Sequence, residues 1–456
     1  MMKNKIKIII RFLYAVLIFN IAVLNAQDNS RLEVIKYGTE NEVASLIQTL
    51  RTEGSDELDN ELINITETTR NTKILVSVFG FFGDREKNDI ENRAIRIIEE
   101  RGDEANETVF AAVDYTGKIK SSKAVPALME LLDTEERRFM NSAFRALGRA
   151  GSSDKETADS TADYLIEFYT YRDPGDENRR EVITALGMTG SSLAMPLLSD
   201  IASNNDERIP LRIAALEGLA KIAVADGLNA ILECVNANDP NIRSAAVGAL
   251  GPFSGDNVDK AILDAFRDSY YRTRIAACQA SRERKFTASV PYLKFRAERD
   301  EVPNVREEAI RALGAIAGDE ALIALDSLFN ERKNTDRVRL LAAEMLSKNA
   351  ADKYFLLFVK ELDEAKSKNQ TALYNGFLKI TGEAVIEGDK RDIENLAGRF
   401  MSSGGVTEKL YGLDMALNNN LTSLANGIKA LSREKSESLS RKAKRTAEKL
   451  GIELES

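Results

Sequence analysis

Six arginines recur along the middle of the chain at nearly equal intervals. Arg179, Arg212, Arg243, Arg274, Arg306 and Arg339 stand 33, 31, 31, 32 and 33 residues apart. Three residues after each comes a small or apolar residue: Val182, Ala215, Ala246, Ala277, Ala309 or Ala342. Seven after comes Leu186, Leu219, Leu250, Leu313 or Leu346, with Ser281 the exception. Offsets of three and seven share one face of a helix, so each arginine opens a helix with a buried stripe. Eight after stands Gly187, Gly251 or Gly314, and Gly148 stands eight after Met140, which takes the arginine slot one copy earlier. Glycine at that offset is expected to end the helix. A second apolar stretch follows, as at 121–132, 193–202 and 319–329. Each unit is therefore two helices joined by a turn, too small to bury its own apolar face. The expected fold is all-α, an α-solenoid of stacked antiparallel helix pairs, with alanine allowing close stacking. The period allows about 13 units. It is clear over residues 104–349 and degenerate over 27–103 and 350–456, where weaker copies end at Gly83 and Gly451.

The first 26 residues do not belong to this pattern. Lys3, Lys5 and Lys7 precede an apolar run, and Ala26 stands before the polar Gln27 and Asp28. That is the layout of a secretory signal peptide. Arg11 interrupts the run, leaving residues 12–24, short for a bilayer span. A periplasmic or secreted location is expected, with an uncleaved membrane anchor as the alternative. Without this segment the chain has 59 basic and 72 acidic residues, a net charge of −13. Such acidity disfavours nucleic acid or an anionic membrane as partner.

The stretch from Asp239 through Arg243 to Gly251, its copy ending at Gly314, and the earlier second-helix stretch Ala124-Val125-Pro126-Ala127-Leu128 carry a recognisable signature. It resembles the HEAT-like repeats of the phycobilisome-lyase type. The resemblance implies a right-handed solenoid whose second helices line a concave surface. It also implies that each arginine braces against an acidic residue of the turn, with Asp239 for Arg243, Glu301 for Arg306 and Asp336 for Arg339 as candidates. This makes the arginine row a structural device, each solvated pair being worth at most about 1 kcal/mol. A bilin-attaching lyase enters as a remote enzymatic alternative.

The residues offer little catalytic chemistry. The chain has no histidine, which removes Ser-His-Asp and Cys-His catalysis and every imidazole-based zinc motif. No phosphate-cradling glycine motif occurs. The tetrapeptides Ser152–Lys155 and Ser432–Lys435 have the Ser-x-x-Lys form but lack its companion elements. Cys234 and Cys278 lie among apolar neighbours in different units and are read as buried thiols. Acidic runs at 84–86, at 173–177 and around Glu361, Asp363 and Glu364 lack a calcium-loop pattern and are read as solvated turns. No cofactor, metal or catalytic residue is expected. Tyr164, Phe168 and Tyr171 share a helical face and are read as core. Tyr169 lies off that face, and Tyr270 and Tyr271 are adjacent in a turn, so these three are the candidate partner contacts. The interval from Met140 to Arg179 is 39 residues, placing an insertion at about 152–160, a feature that often marks a binding edge. The basic stretch 432–449 is read as a capping helix, with attachment to a partner or membrane surface a minority reading. The function expected is a non-enzymatic exported scaffold binding a protein or peptide. An envelope-organising protein bound to cell wall or membrane surface is the alternative.

Overall fold

The computed structural model describes residues 30–134, 136–172 and 174–454, so the expected signal segment lies outside the described residues. Among them there is no strand, and helices follow one another through short turns. They form an all-α solenoid of antiparallel helix pairs, divided into two compact units, Met1–Ile231 and Leu232–Ser456. In the first unit each second helix packs on the first helix that follows it, not on the one before: Val125–Asp133 pairs with Arg137–Ala150, Lys155–Tyr171 with Gly175–Thr189, and Met195–Ser203 with Ile209–Ile222. In the second, Asp256–Ala265 pairs with Tyr271–Glu283, Val290–Arg299 with Pro303–Ile316, and Asp319–Asn330 with Asp336–Ser367.

Local sequence explains where the helices start and stop. Pro126, Pro196 and Pro291 sit in the first turn of second helices, and Pro210, Pro240 and Pro303 in that of first helices. Their fixed φ and missing N–H suit that position. The hydroxyls of Ser121 and Ser191 accept from the amides of Ala124 (3.0 Å) and Leu193 (3.2 Å), closing the turn into the next helix. The period-derived stripe is the core: residues 182, 215, 246, 277, 309 and 342 are all fully buried. The leucines seven along are buried as well, and so is Ser281 in the leucine slot.

Three sequence-derived expectations change. Of the four glycines at offset eight only Gly251 stands just past a helix end, after the cap Leu250; Gly148, Gly187 and Gly314 lie inside their helices. A Cβ on Gly148 would stand 2.7 Å from Ala185 Cα, and one on Gly187 2.4 Å from Gly218 Cα. These glycines let the backbones of neighbouring first helices touch. The left-handed turn residues come later: Gly190 (φ 73°) ends the helix of Gly187, and elsewhere the position is not glycine, as with Lys120 (φ 51°), Ala223 (53°), Lys285 (49°) and Ala317 (54°). Second, the extra residues after Met140 form no loop. Only the short turn Gly151–Ser153 precedes the helix Lys155–Tyr171, 17 residues long where Val125–Asp133 and Met195–Ser203 have 9. Asp154 caps this helix through the Thr157 amide (2.9 Å). Third, Asp336–Ser367 joins two successive helices, broken only at Ala350 (φ −153°, ψ 43°).

The C-terminal basic stretch forms the helix Glu437–Lys449, which buries Leu439, Ala443, Thr446 and Ala447 against Val406–Asn418 and Ala425–Ser432. Lys442 reaches Asp414 at 2.6 Å.

Candidate functional site

The arginine row builds a ladder in the second unit. Arg243 Nε and Nη2 grip the Asp268 carboxylate at 2.8 and 3.1 Å, while Nη1 donates to the carbonyls of Ala237 and Asn238, both at 3.0 Å. Arg274 repeats the arrangement one pair on. It holds Asp300 at 2.8 Å through both nitrogens and donates to the carbonyls of Asp268 (3.0 Å) and Ser269 (3.1 Å). Arg306 donates to the Asp300 carbonyl at 2.6 Å. Asp268 and Asp300 are thus each held twice, by side chain to the arginine before and by backbone to the arginine after.

The acid therefore lies 25 or 26 residues beyond its arginine, and the nearby acids proposed from sequence are not the partners. Asp239 accepts from the amides of Asn241 (2.8 Å) and Ile242 (3.2 Å), and is committed to starting its own helix. Glu301 approaches Arg274, at 3.7 Å. Asp336 is the first residue of its helix, and Arg339 instead donates to the Phe329 carbonyl (3.1 Å) and to Glu361 (2.7 Å). An arginine at a helix start reaches back to the turn before it and sideways to the next turn.

Burial sets the electrostatics. Arg274 and Asp300 are 4% and 2% exposed. Burial alone would raise the Asp300 carboxyl, but Arg274 and the Val302 amide outweigh it and hold it below the usual carboxylate range. Asp268 behaves likewise, its burial outweighed by Arg243 and the Tyr270 amide. In the first unit, Arg212 is buried and donates to the Ala202 carbonyl (2.9 Å), and Arg179 lies over the Tyr169 ring at 5.6 Å.

The candidate contact tyrosines are half-buried. Tyr169 carries the Arg179 guanidinium on its face. Tyr270 is part of the ladder, its amide donating to Asp268 (2.7 Å) and its hydroxyl to Asn241 (3.0 Å), with Tyr271 against its edge at 5.4 Å. In the tyrosine helix, Phe168 is core, but Tyr171 is 81% exposed and is not. Tyr164 is half-buried, its hydroxyl bonded to Asp133 at 2.7 Å. Burial and that carboxylate push its phenol up. Cys234 and Cys278 are both buried, and burial raises the Cys278 thiol. Two of the acidic runs carry ion pairs: Asp84, exposed as read, meets Arg51 and Lys118, while Glu361 is buried, not solvated, and meets Arg339 and Arg332. Asp173, which opens the run at 173–177, lies outside the described residues. Among the described residues no three Cys, Asp or Glu side chains converge as a metal would need, and no helix is long and apolar enough to cross a membrane.

Two surface features of the second unit escaped sequence reading. One is a row of apolar side chains on three successive second helices: Phe295 (49% exposed), Ile323 (66%) and Leu356 (61%). Each lies off its helix's buried stripe, as Ile323 does beside the buried Ala321, Ala324 and Leu325. That offset was the available signal. The other is an open groove of about 710 Å³ bounded by Asn236, Asn257, Lys260, Arg267 and Thr273, with the Arg243–Asp268 rung on its wall.

Comparison with known proteins agrees with this architecture. Two curated relatives are deoxyhypusine hydroxylases of Candida. That of Candida albicans (strain SC5314) is 29% identical over 196 residues, 41% of this chain and 60% of the relative. That of Candida glabrata is 26% identical over 208 residues, 44% and 64%. The chain thus matches less than two thirds of the length of either hydroxylase. Among solved structures, Kap95p in the structure where it induces the switch loops of RanGDP to adopt the GTP-bound conformation matches with a TM-score of 0.50. It is 11% identical, and the match covers 90% of this chain and 61% of Kap95p. That likeness is one of fold. The family described as spirochaete HEAT repeat protein matches residues 35–446. With the repeat, the stacked helix pairs and this match in hand, the chain belongs to the spirochaete HEAT repeat protein family.

Proposed function

We propose that this protein is an exported, non-enzymatic scaffold that holds another protein or peptide against its second helices. The observation that carries the reading is the apolar row Phe295, Ile323 and Leu356, one exposed side chain on each of three successive second helices. Large apolar groups aligned on the outside of an array mark a surface that is covered in use. Export rests on the layout of residues 1–26. Hydroxylase chemistry, named for the two curated relatives, is the weaker reading, since the likeness covers under half of this chain. The lyase-type signature is a likeness of the repeat; the cysteines are buried and the Cys278 thiol is held protonated.

Crosslinking in intact cells, recovery of the protein and mass spectrometry test the proposal. A stoichiometric protein partner crosslinked to lysines of second helices, from a fraction outside the cytoplasm, is the expected result. Recovery alone, or only with wall or lipid material, overturns the scaffold reading in favour of an envelope-bound protein.

A further inference from the structure

The groove of the second unit lies in a net basic part of an acidic chain. Between residues 256 and 300, ten lysines and arginines stand against seven aspartates and glutamates, whereas the whole chain carries a net charge of −9. The two cations at its edge are available. Lys260 and Arg267, with side chains 80% and 66% exposed, share Asp264 only at 3.9 and 3.8 Å, beyond hydrogen-bond distance. The Asp268 carboxylate on the wall is already neutralised by Arg243. Thr273, 1% exposed, also lines the groove, and its hydroxyl has no hydrogen-bond partner among the described residues. A buried hydroxyl left so is costly unless something supplies a partner. Asn236 and Asn257 add amides that both donate and accept. From this edge the surface turns aromatic. Arg267 lies over Tyr292 at 5.3 Å, Tyr292 stacks on Phe266, and Phe295 follows one helical turn later with Arg299 over it at 5.7 Å.

We infer that this groove binds an extended acidic polypeptide segment. Its Asp or Glu carboxylates meet Lys260 and Arg267, its backbone meets the asparagine amides and Thr273, and an apolar side chain covers Tyr292 and Phe295. The inference rests on the scaffold reading and adds the partner's chemistry and its place. An open groove with side-chain amides suits a peptide backbone, and the cationic edge selects negative charge.

The test uses the full chain and a bead-displayed library of random short peptides. Retained peptides should be enriched in Asp and Glu beside an aliphatic or aromatic residue. Binding of the selected peptides, measured by fluorescence anisotropy, should weaken about tenfold or more in Lys260→Glu/Arg267→Glu, and also in Tyr292→Ala/Phe295→Ala. Both charge reversals are at exposed positions, and an unchanged melting curve shows the fold intact. Acidic enrichment that survives the double reversal, retention without acidic preference, or tighter binding of a single-stranded oligonucleotide or phosphatidylserine vesicles than of peptide each overturns the assignment. If no peptide is retained while the crosslinked protein partner is still recovered, this inference falls and the scaffold reading stands.

Discussion

The two units solve the same stacking problem with different chemistry. In the first, neighbouring first helices meet backbone to backbone: the offset-eight glycines Gly148 and Gly187 face Ala185 and Gly218 main-chain atoms. In the second, the same slot meets side chains, Glu283 at Gly251 and Met345 at Gly314. There the pairs are also tied by the buried or half-buried rungs Arg243–Asp268 and Arg274–Asp300. A close apolar contact fixes spacing but demands an absent side chain. A charge pair tolerates bulk but demands a complete partner. One repeat consensus therefore hides two kinds of vulnerability.

The sharpest break in this comparison is the buried rung. Arg274→Ala leaves the buried Asp300 carboxylate with only the more distant Arg296 (3.3 Å) as a cationic partner and should destabilise the second unit by about 3 kcal/mol, read as lost hydrogen-exchange protection between residues 271 and 316. Arg243→Ala, whose pair has side chains 19% and 13% exposed, should cost about 1.5–3 kcal/mol. Equal losses would mean that burial does not govern the ladder. In the first unit, Gly187→Ala should cost about 1–3 kcal/mol, because the new methyl meets backbone. Gly314→Ala meets only the Met345 side chain, which can swing aside, and should cost less than about 1 kcal/mol. Denaturant midpoints of the two variants check the order.

Acid separates the mechanisms further. Asp268 and Asp300 have folded-state values below their unfolded ones. Their contribution is complete above the unfolded aspartate range and is lost as pH falls through the folded values. Glu408, lowered to about 2 by Lys366 and Tyr374, loses its contribution only as pH falls toward that value. Asp268→Asn/Asp300→Asn should be less stable than the parent at neutral pH yet lose less on acidification, while Gly187→Ala keeps the parental pH slope. The smallest effect belongs to Ser281→Ala. Its buried hydroxyl has no hydrogen-bond partner among the described residues, so the variant should be neutral or gain up to about 1 kcal/mol.

What sequence reveals here follows from what is periodic. The stripe at offsets three and seven is legible because burial repeats every turn, and all six residues at offset three are buried. The arginine partners are not. Asp239 and Asp336 are near Arg243 and Arg339 along the chain, while the acid that Arg243 grips is Asp268, brought close only by stacking. Gly187 reads as a helix end because its closest contact is Gly218, 31 residues away. The groove has no signature, since Asn236, Lys260 and Thr273 come from separate elements and share no spacing. Phe295 and Ile323 were visible as apolar residues off the stripe, a sign that reports exposure without saying what covers it.

The doubly held aspartates also have a mechanical meaning. Asp268 joins the rung of Arg243 to that of Arg274, and Asp300 joins Arg274 to Arg306, so adjacent pairs share a joint. Under tension, a pair peeled from this stretch takes with it half of its neighbour's anchorage. Rupture then propagates along residues 240–316 as one event, where independent contacts would give way pair by pair.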